Sequence, residues 1–176
     1  MIRHRNDIVR DYIFWFAAVV LAALIQTNWP EMLRLQDVSP DIVIVLVVYF
    51  AIAYGEERAM FTGVIGGLYQ DVAVNTTLGH HVLCYVVIGY VAGRLTTRLI
   101  SEHAAVKAGM VFFAGFFQGV AYTTIQYVQQ PQRGLLYPII NTAAPIAFYS
   151  AVITPFIFMI ADRIFHKRTV ISDGIV

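Results

Sequence analysis

Six apolar runs divide this chain, and each is continuous rather than alternating. A barrel strand alternates apolar and polar residues with a period of two, whereas a run without alternation suits a helix covered on all sides by protein or lipid. The runs cover residues 12–28, 40–54, 59–74, 78–100, 108–128 and 137–160. A helix needs about 20 mostly apolar residues to cross a bilayer, with a range of roughly 17–25. The run at 40–54 is the shortest, and that at 59–74 is rich in glycine. The expectation is an all-α integral membrane protein, a single domain over residues 1–176 with six transmembrane helices.

Composition closes off the alternatives. Hydrophobic residues make up 59% of the 176-residue chain and charged residues 13%, about half the share usual in soluble domains. That excludes a soluble globular domain, a disordered chain and a disulfide-stapled module. Cys84 is the single cysteine, so no internal disulfide forms. A net charge of +1 points to no nucleic-acid partner. No zinc spacing, phosphate loop or dinucleotide fingerprint is present, and no cofactor or metal is expected. No serine or cysteine has an evident base beside it in the sequence, which gives nucleophilic catalysis no support.

Lysine and arginine set the orientation. With a cytoplasmic N-terminus and six spans, ten of the twelve lie inside and only Arg34 and Arg133 outside. Both termini are then cytoplasmic. If the second run alone failed to cross, the count would become four inside against eight. If the second and third formed a re-entrant hairpin, it would be nine against three, so a four-span topology is the surviving alternative. Asp7 and Asp11 interrupt the basic start, and no small-residue cleavage site follows Ile25, so the first run is read as a retained helix and not a signal peptide. Trp15 and Trp29 suit the two membrane interfaces.

Glycines at four-residue spacing mark three helices: Gly63 and Gly67, Gly89 and Gly93, Gly115 and Gly119. Such faces let helices approach closely in lipid. They serve either packing within one bundle or docking of a partner helix, and the motif does not separate the two. On the docking reading, leucine at Gly89 or Gly93 breaks partner binding without unfolding the bundle. Pro145 and Pro155 fall inside the sixth run and are expected to kink it.

Ionisable groups within apolar runs are costly and mark candidate sites. Ser39-Pro40-Asp41 reads as a helix start, with serine as N-cap, proline first and the acid favouring the dipole. Asp71 lies near the end of the third run, where the dipole opposes it, so it needs a partner. Arg34, Arg133, His80 and His81 are the candidates. Arg94 is expected to snorkel, with Arg98 paired to Glu102. His80, His81 and Cys84 lack a fourth metal ligand, and packing at a helix start explains them better. Asn141, Gln118 and Gln126 are read as interhelical hydrogen bonders. Asp41, Asp71, His80 and His81 are expected to converge at the outer ends of the second to fourth helices.

Three features in order carry a resemblance. Pro40-Asp41 opens an aliphatic run ending Val48-Tyr49-Phe50-Ala51. Gly63-x-x-Gly66-Gly67-Leu68-x-x-Asp71 follows. Then come Leu78-Gly79, Tyr85 and Gly89-Tyr90-x-x-Gly93. Together they resemble the MreD family of bacterial rod shape-determining proteins, over residues 40–94. His80-His81 departs from the apolar or small residues expected after Leu78-Gly79. The resemblance implies a non-catalytic scaffold in the bacterial inner membrane. Its partners would be MreC, and with it RodA, a transpeptidase and MreB filaments, in side-wall peptidoglycan synthesis. It also implies a fold similar to the six-helix substrate-binding subunits of energy-coupling-factor transporters. That similarity supplies the alternative function, a small-molecule or lipid-binding membrane subunit whose outward cavity is lined by Asp41, Asp71 and His80; the scaffold reading expects no closed polar cavity. The residues carried over as partner contacts or polar anchors are Pro40, Asp41, Gly66, Gly67, Asp71, Gly79, Tyr85, Gly89, Tyr90 and Gly93.

Overall fold

The computed structural model describes residues 2–34, 38–75, 78–96, 103–129 and 136–173. Helices take up nearly all of them, and no sheet forms among the described residues. They are α1 (Ile2–Thr27), α2 (Ile42–Tyr54), α3 (Glu56–Ala73), α4 (His80–Thr96) and α5 (Ala104–Gln129), with a 3₁₀ turn at Glu31–Leu33. A sixth helix, α6, runs over residues 136–173 in three joined parts: Leu136–Pro138, a π-helical stretch Ile139–Ala143, and Ala144–Asp173.

The helices extend past the apolar runs at several ends. α1 begins at Ile2, and α6 continues past residue 160. Charged residues form helix well enough once a neighbouring apolar turn nucleates it. At the start of α2 the reverse holds: the helix begins at Ile42, not Pro40. Residues 97–100, expected in the fourth helix, lie outside the described residues, as do Arg98, Glu102 and Arg133.

Val9–Thr27, Ala104–Gln129 and Leu136–Phe165 are long and apolar enough to cross a membrane, and Ile42–Tyr54 is equally apolar but shorter. These are the spans of a multi-pass membrane protein. α4 has only 17 residues, and α3 carries Glu56, Glu57, Arg58 and Asp71. The bundle is inverted relative to a soluble one. Large apolar side chains cover its outside, with Phe113 at 71% and Phe148 at 64% exposure, a surface that only lipid or protein can cover.

α2 is the core. Every residue from Ile42 to Ala51 is buried, because α1, α3, α4, α5 and α6 all pack on it. Its aliphatic side chains present no polar face, so it can be enclosed on every side. Around its far end, Tyr49 and Phe50 pack edge-to-face with Phe158 and Phe165 of α6 and with Trp15 of α1. Trp15 is therefore a core residue and not an interfacial anchor. It is 7% exposed, and its indole N–H donates to Thr62 Oγ1 at 3.1 Å. An indole inside a bundle needs an acceptor, and α3 supplies one.

Pro145 is accommodated without ending α6. Its ring cannot donate to residue 141 and crowds that carbonyl. The helix widens just before it, with the Ala144 N–H donating to the Ile139 carbonyl in a π turn. Such wide turns often line functional sites, and this one lines the cavity described below.

Candidate functional site

The start of α2 presents orphan backbone N–H groups in an apolar setting, and each needs an acceptor. Asp41, not Ser39, is the N-cap: its Oδ1 accepts from the Ile44 N–H at 3.0 Å. The Val43 N–H donates to Gln26 Oε1 of α1 at 2.9 Å, and the Asp41 N–H donates to Ser150 Oγ of α6 at 2.8 Å. The other carboxylate oxygen of Asp41 accepts from the Tyr85 hydroxyl of α4 at 2.6 Å. Four helices thus meet at one capping acid. Tyr85 is fully buried, so Tyr85→Phe should cost about 1–2 kcal/mol for the lost hydrogen bond. Thermal unfolding of the purified variant checks this; an unchanged midpoint would mean that the bond contributes nothing.

Asp71 answers the dipole problem with donors from the start of α4. It accepts from the Gly79 N–H at 2.7 Å, the His81 N–H at 3.0 Å and, at 2.8 Å, the His81 ring through Nδ1. The acid at the C-terminal end of α3 is thereby tied to the N-terminus of α4, where exposed N–H groups and the dipole favour a negative charge. Of the four partners named from the sequence, His81 bonds it, and Arg133 lies outside the described residues. Gly79 reaches it with φ of +105°, a conformation that strains other residues. His80 points elsewhere and meets Gln129 of α5 at 3.1 Å.

The two acids do form a joined cluster. His81, bonded to Asp71, has its ring 6.0 Å from that of Tyr85, which holds Asp41, and 4.6 Å from Tyr122 of α5. Beside this cluster lies a cavity of about 610 Å³ lined by Asp41, His80, His81, Tyr85, Gln118 and Tyr122 among others. Its wall is mostly amide, hydroxyl and ring. The scaffold reading expects no closed polar cavity; the bundle carries a polar hollow that is partly open. Asp71 lies behind His81 and is not part of the lining.

The glycine faces are spent inside the bundle. A Cβ on Gly89 would stand 2.9 Å from the Ala59 and Met60 backbone of α3, and one on Gly93 would stand 2.6 Å from Glu56. Gly63 and Gly67 meet the backbone at Tyr85 and Val82 of α4 in the same way, and Gly66 meets Val43 of α2. Gly115 and Gly119 pack on Ala147 and Ala143 of α6. A docking role for Gly89 and Gly93 is thus corrected: α3 already occupies that face, because two small-residue faces approach closely. Pro40 is buried next to the cap. Tyr90 alone of the ten residues points outward, at 43% exposure, with Arg94 stacked over its ring. Arg94 also pairs with Glu56 at 2.8 Å, a partner on α3 that sequence spacing along one helix could not suggest.

Asn141 and Gln126 bond within their own helices, and no hydrogen bond reaches Gln118 among the described residues. Further polar links between helices come from Gln26, Thr62 and Ser150, none of which was singled out in the sequence. Gln26 carried a signal, a lone amide closing a strictly apolar stretch. Thr62 and Ser150 carried none, since hydroxyls often satisfy themselves on the preceding helical turn.

The model of the rod shape-determining protein MreD matches residues 7–175. This chain belongs to the MreD family. No curated protein matches it, and no solved structure does. Membership implies a role in determining rod shape in a bacterial membrane. The match covers α1 and α5 to α6 as well as the central motifs, so the whole bundle is the family's unit and not only residues 40–94.

Proposed function

We propose that this MreD-family protein is a non-catalytic, six-span scaffold of the cell-elongation machinery in the inner membrane. Both termini are cytoplasmic, and MreC is the primary partner. The observation that carries the reading is the family match over residues 7–175. The ten-to-two charge bias supports the orientation. It places Arg58, Arg94 and Lys107 at the cytoplasmic end, and the Asp41–Asp71 cluster at the periplasmic end. RodA, its transpeptidase and MreB filaments are further partners on this reading, with the lipid bilayer covering the remaining faces.

Partner contact must use a surface that the bundle leaves open. Tyr90 on α4 is such a residue, and Leu83, Val87 and Val91 are exposed along the same helix. Pocketed aromatic residues often dominate binding energy. Pro40, Asp41, Gly66, Gly67, Asp71, Gly79, Tyr85, Gly89 and Gly93 act on this reading as anchors of the fold.

The test is capture of the tagged protein from its native membrane in mild detergent. MreC should co-purify with wild-type protein, and Tyr90→Ala should reduce its recovery several-fold with the yield of the bundle unchanged. Recovery of no elongation protein would sink the scaffold reading. The second reading, a small-molecule-binding subunit of the energy-coupling-factor type, is favoured by one observation, the polar cavity. It requires an ATPase module to co-purify in place of MreC.

A further inference from the structure

The cavity holds polar groups that the bundle does not use. Gln118 of α5 is 9% exposed and lines the cavity, and no hydrogen bond reaches it among the described residues. Gln70 of α3 also lines the cavity, and its Oε1 is buried without a partner. A buried amide oxygen left unpaired, like that of Gln70, is rare in folded proteins and calls for an explanation. Tyr122, Gln126 and Thr123 add a ring, an amide and a hydroxyl from the turn that follows Gln118. The π turn of α6 adds Thr142 and Ala143 to the lining, with Ala143 packed on Gly119 of α5.

The lining chemistry selects among ligands. No lysine or arginine is among its described residues, so a phosphate or carboxylate would meet no such cation among them and would face Asp41. A cation would find Asp41 already engaged, by the Ile44 N–H and the Tyr85 hydroxyl. An apolar ligand would leave Gln118 and Gln70 unpaired at a cost. A saccharide matches every group: its hydroxyls bond amides and hydroxyls, and its C–H face lies on an aromatic ring. The volume of about 610 Å³ is within the range of roughly 300–1,000 Å³ usual for small-molecule sites.

We propose that this cavity binds an uncharged saccharide, free or as the headgroup of a glycolipid. The amides of Gln118 and Gln70 bond it, and the Tyr122 ring supports its apolar face. The site goes beyond the scaffold reading and does not depend on it. MreC capture tests the one, and saccharide binding to the isolated protein tests the other.

The experiment uses the full chain in phosphatidylcholine nanodiscs, with thermal stability and saturation-transfer NMR as readouts. Three probes are compared: free N-acetylglucosamine, monoglucosyl diacylglycerol built into the disc, and inorganic phosphate. One of the two sugar probes should raise the unfolding midpoint, and which one does so identifies the source. Gln118→Leu should weaken that probe about tenfold, the equivalent of about 1.4 kcal/mol. The same variant removes an amide that no hydrogen bond ties into the bundle among the described residues, so the unliganded protein should be about as stable as wild type. Thr123→Trp fills the cavity with all its amides retained and should abolish the shift. Thr124→Val, on the exposed side of α5, should leave it intact. A cavity that holds only water gives no shift with either sugar, and that result overturns the proposal. So does a sugar shift that survives both Gln118→Leu and Thr123→Trp, or a larger shift with phosphate than with sugar.

Discussion

Gly89→Leu is expected to prevent the bundle from forming, and not merely to release a partner. The Cβ alone would lie 2.9 Å from the Ala59 carbonyl carbon and from the Met60 nitrogen. Both are backbone atoms of a helix, so no rotamer change relieves the contact. α3 and α4 would have to move apart along a face where Gly63, Gly67, Gly89 and Gly93 all meet opposing backbone or Cβ atoms. Separation would also loosen Tyr85 and His81, and with them the anchors of Asp41 and Asp71. Overpacking a core usually costs about 1–3 kcal/mol; here the cost should exceed about 4 kcal/mol, because the obstacle is main chain. Size-exclusion profiles and yield of the purified variant measure this. Gly109→Leu is the control, since nothing lies within 4 Å of a Cβ there. A Gly89→Leu protein that is monodisperse at wild-type yield would show that the two helices do not pack as described.

Asp71→Leu should be the most damaging polar substitution. It strips the acceptor from two backbone N–H groups, those of Gly79 and His81, and from the His81 ring. Asp71 itself is fully buried, so no water replaces it. A buried donor left unpaired costs about 1–3 kcal/mol, which makes roughly 3–9 kcal/mol for the three if they add. Asp71→Asn keeps one acceptor oxygen and should lose about half as much. Combining Asp71→Leu with His81→Leu restores apolar contact at the ring and leaves the two backbone donors orphaned, so only part of the loss should return. Thermal midpoints of the four proteins in one detergent give the comparison. If Asp71→Leu melts within a degree or two of wild type, the acid does not tie α3 to α4.

Much of the fold was legible because the signals are local. Continuous apolar runs state helix and lipid together, since in lipid every backbone group must bond within its own segment. The order of the helices and the positions of the charged ends follow from the same runs. The dipole argument also worked for Asp41 and for Asp71: one acid sits where an N-terminus wants it, and the other sits where only a partner could hold it. Even so, it assigned the cap to Ser39 in place of Asp41, because cap identity depends on where the first turn closes and Pro40 shifts that by two residues.

The site was legible only in part. His81 could be named as one of four partners for Asp71 because the turn between α3 and α4 is short. Gln26 and Ser150, which bond the start of α2 from α1 and α6, could not be paired with it: nothing in the chain between them records their register. Trp15 read as an interfacial anchor because it stands near one end of the first apolar run, while its neighbours across the bundle make it core.

From its sequence alone, then, this chain is a helical membrane protein with a biased distribution of lysine and arginine, glycine faces on three helices and acids at two helix ends. Hydropathy, loop charge and dipole preference act over a few residues, so the residues themselves carry them. The tertiary structure alone decided that the glycines close α3 on α4 and α5 on α6, that Arg94 meets Glu56, and that a polar cavity opens beside Gln118. Those outcomes depend on the relative rotation and height of helices far apart in the chain, which close packing of all six sets together.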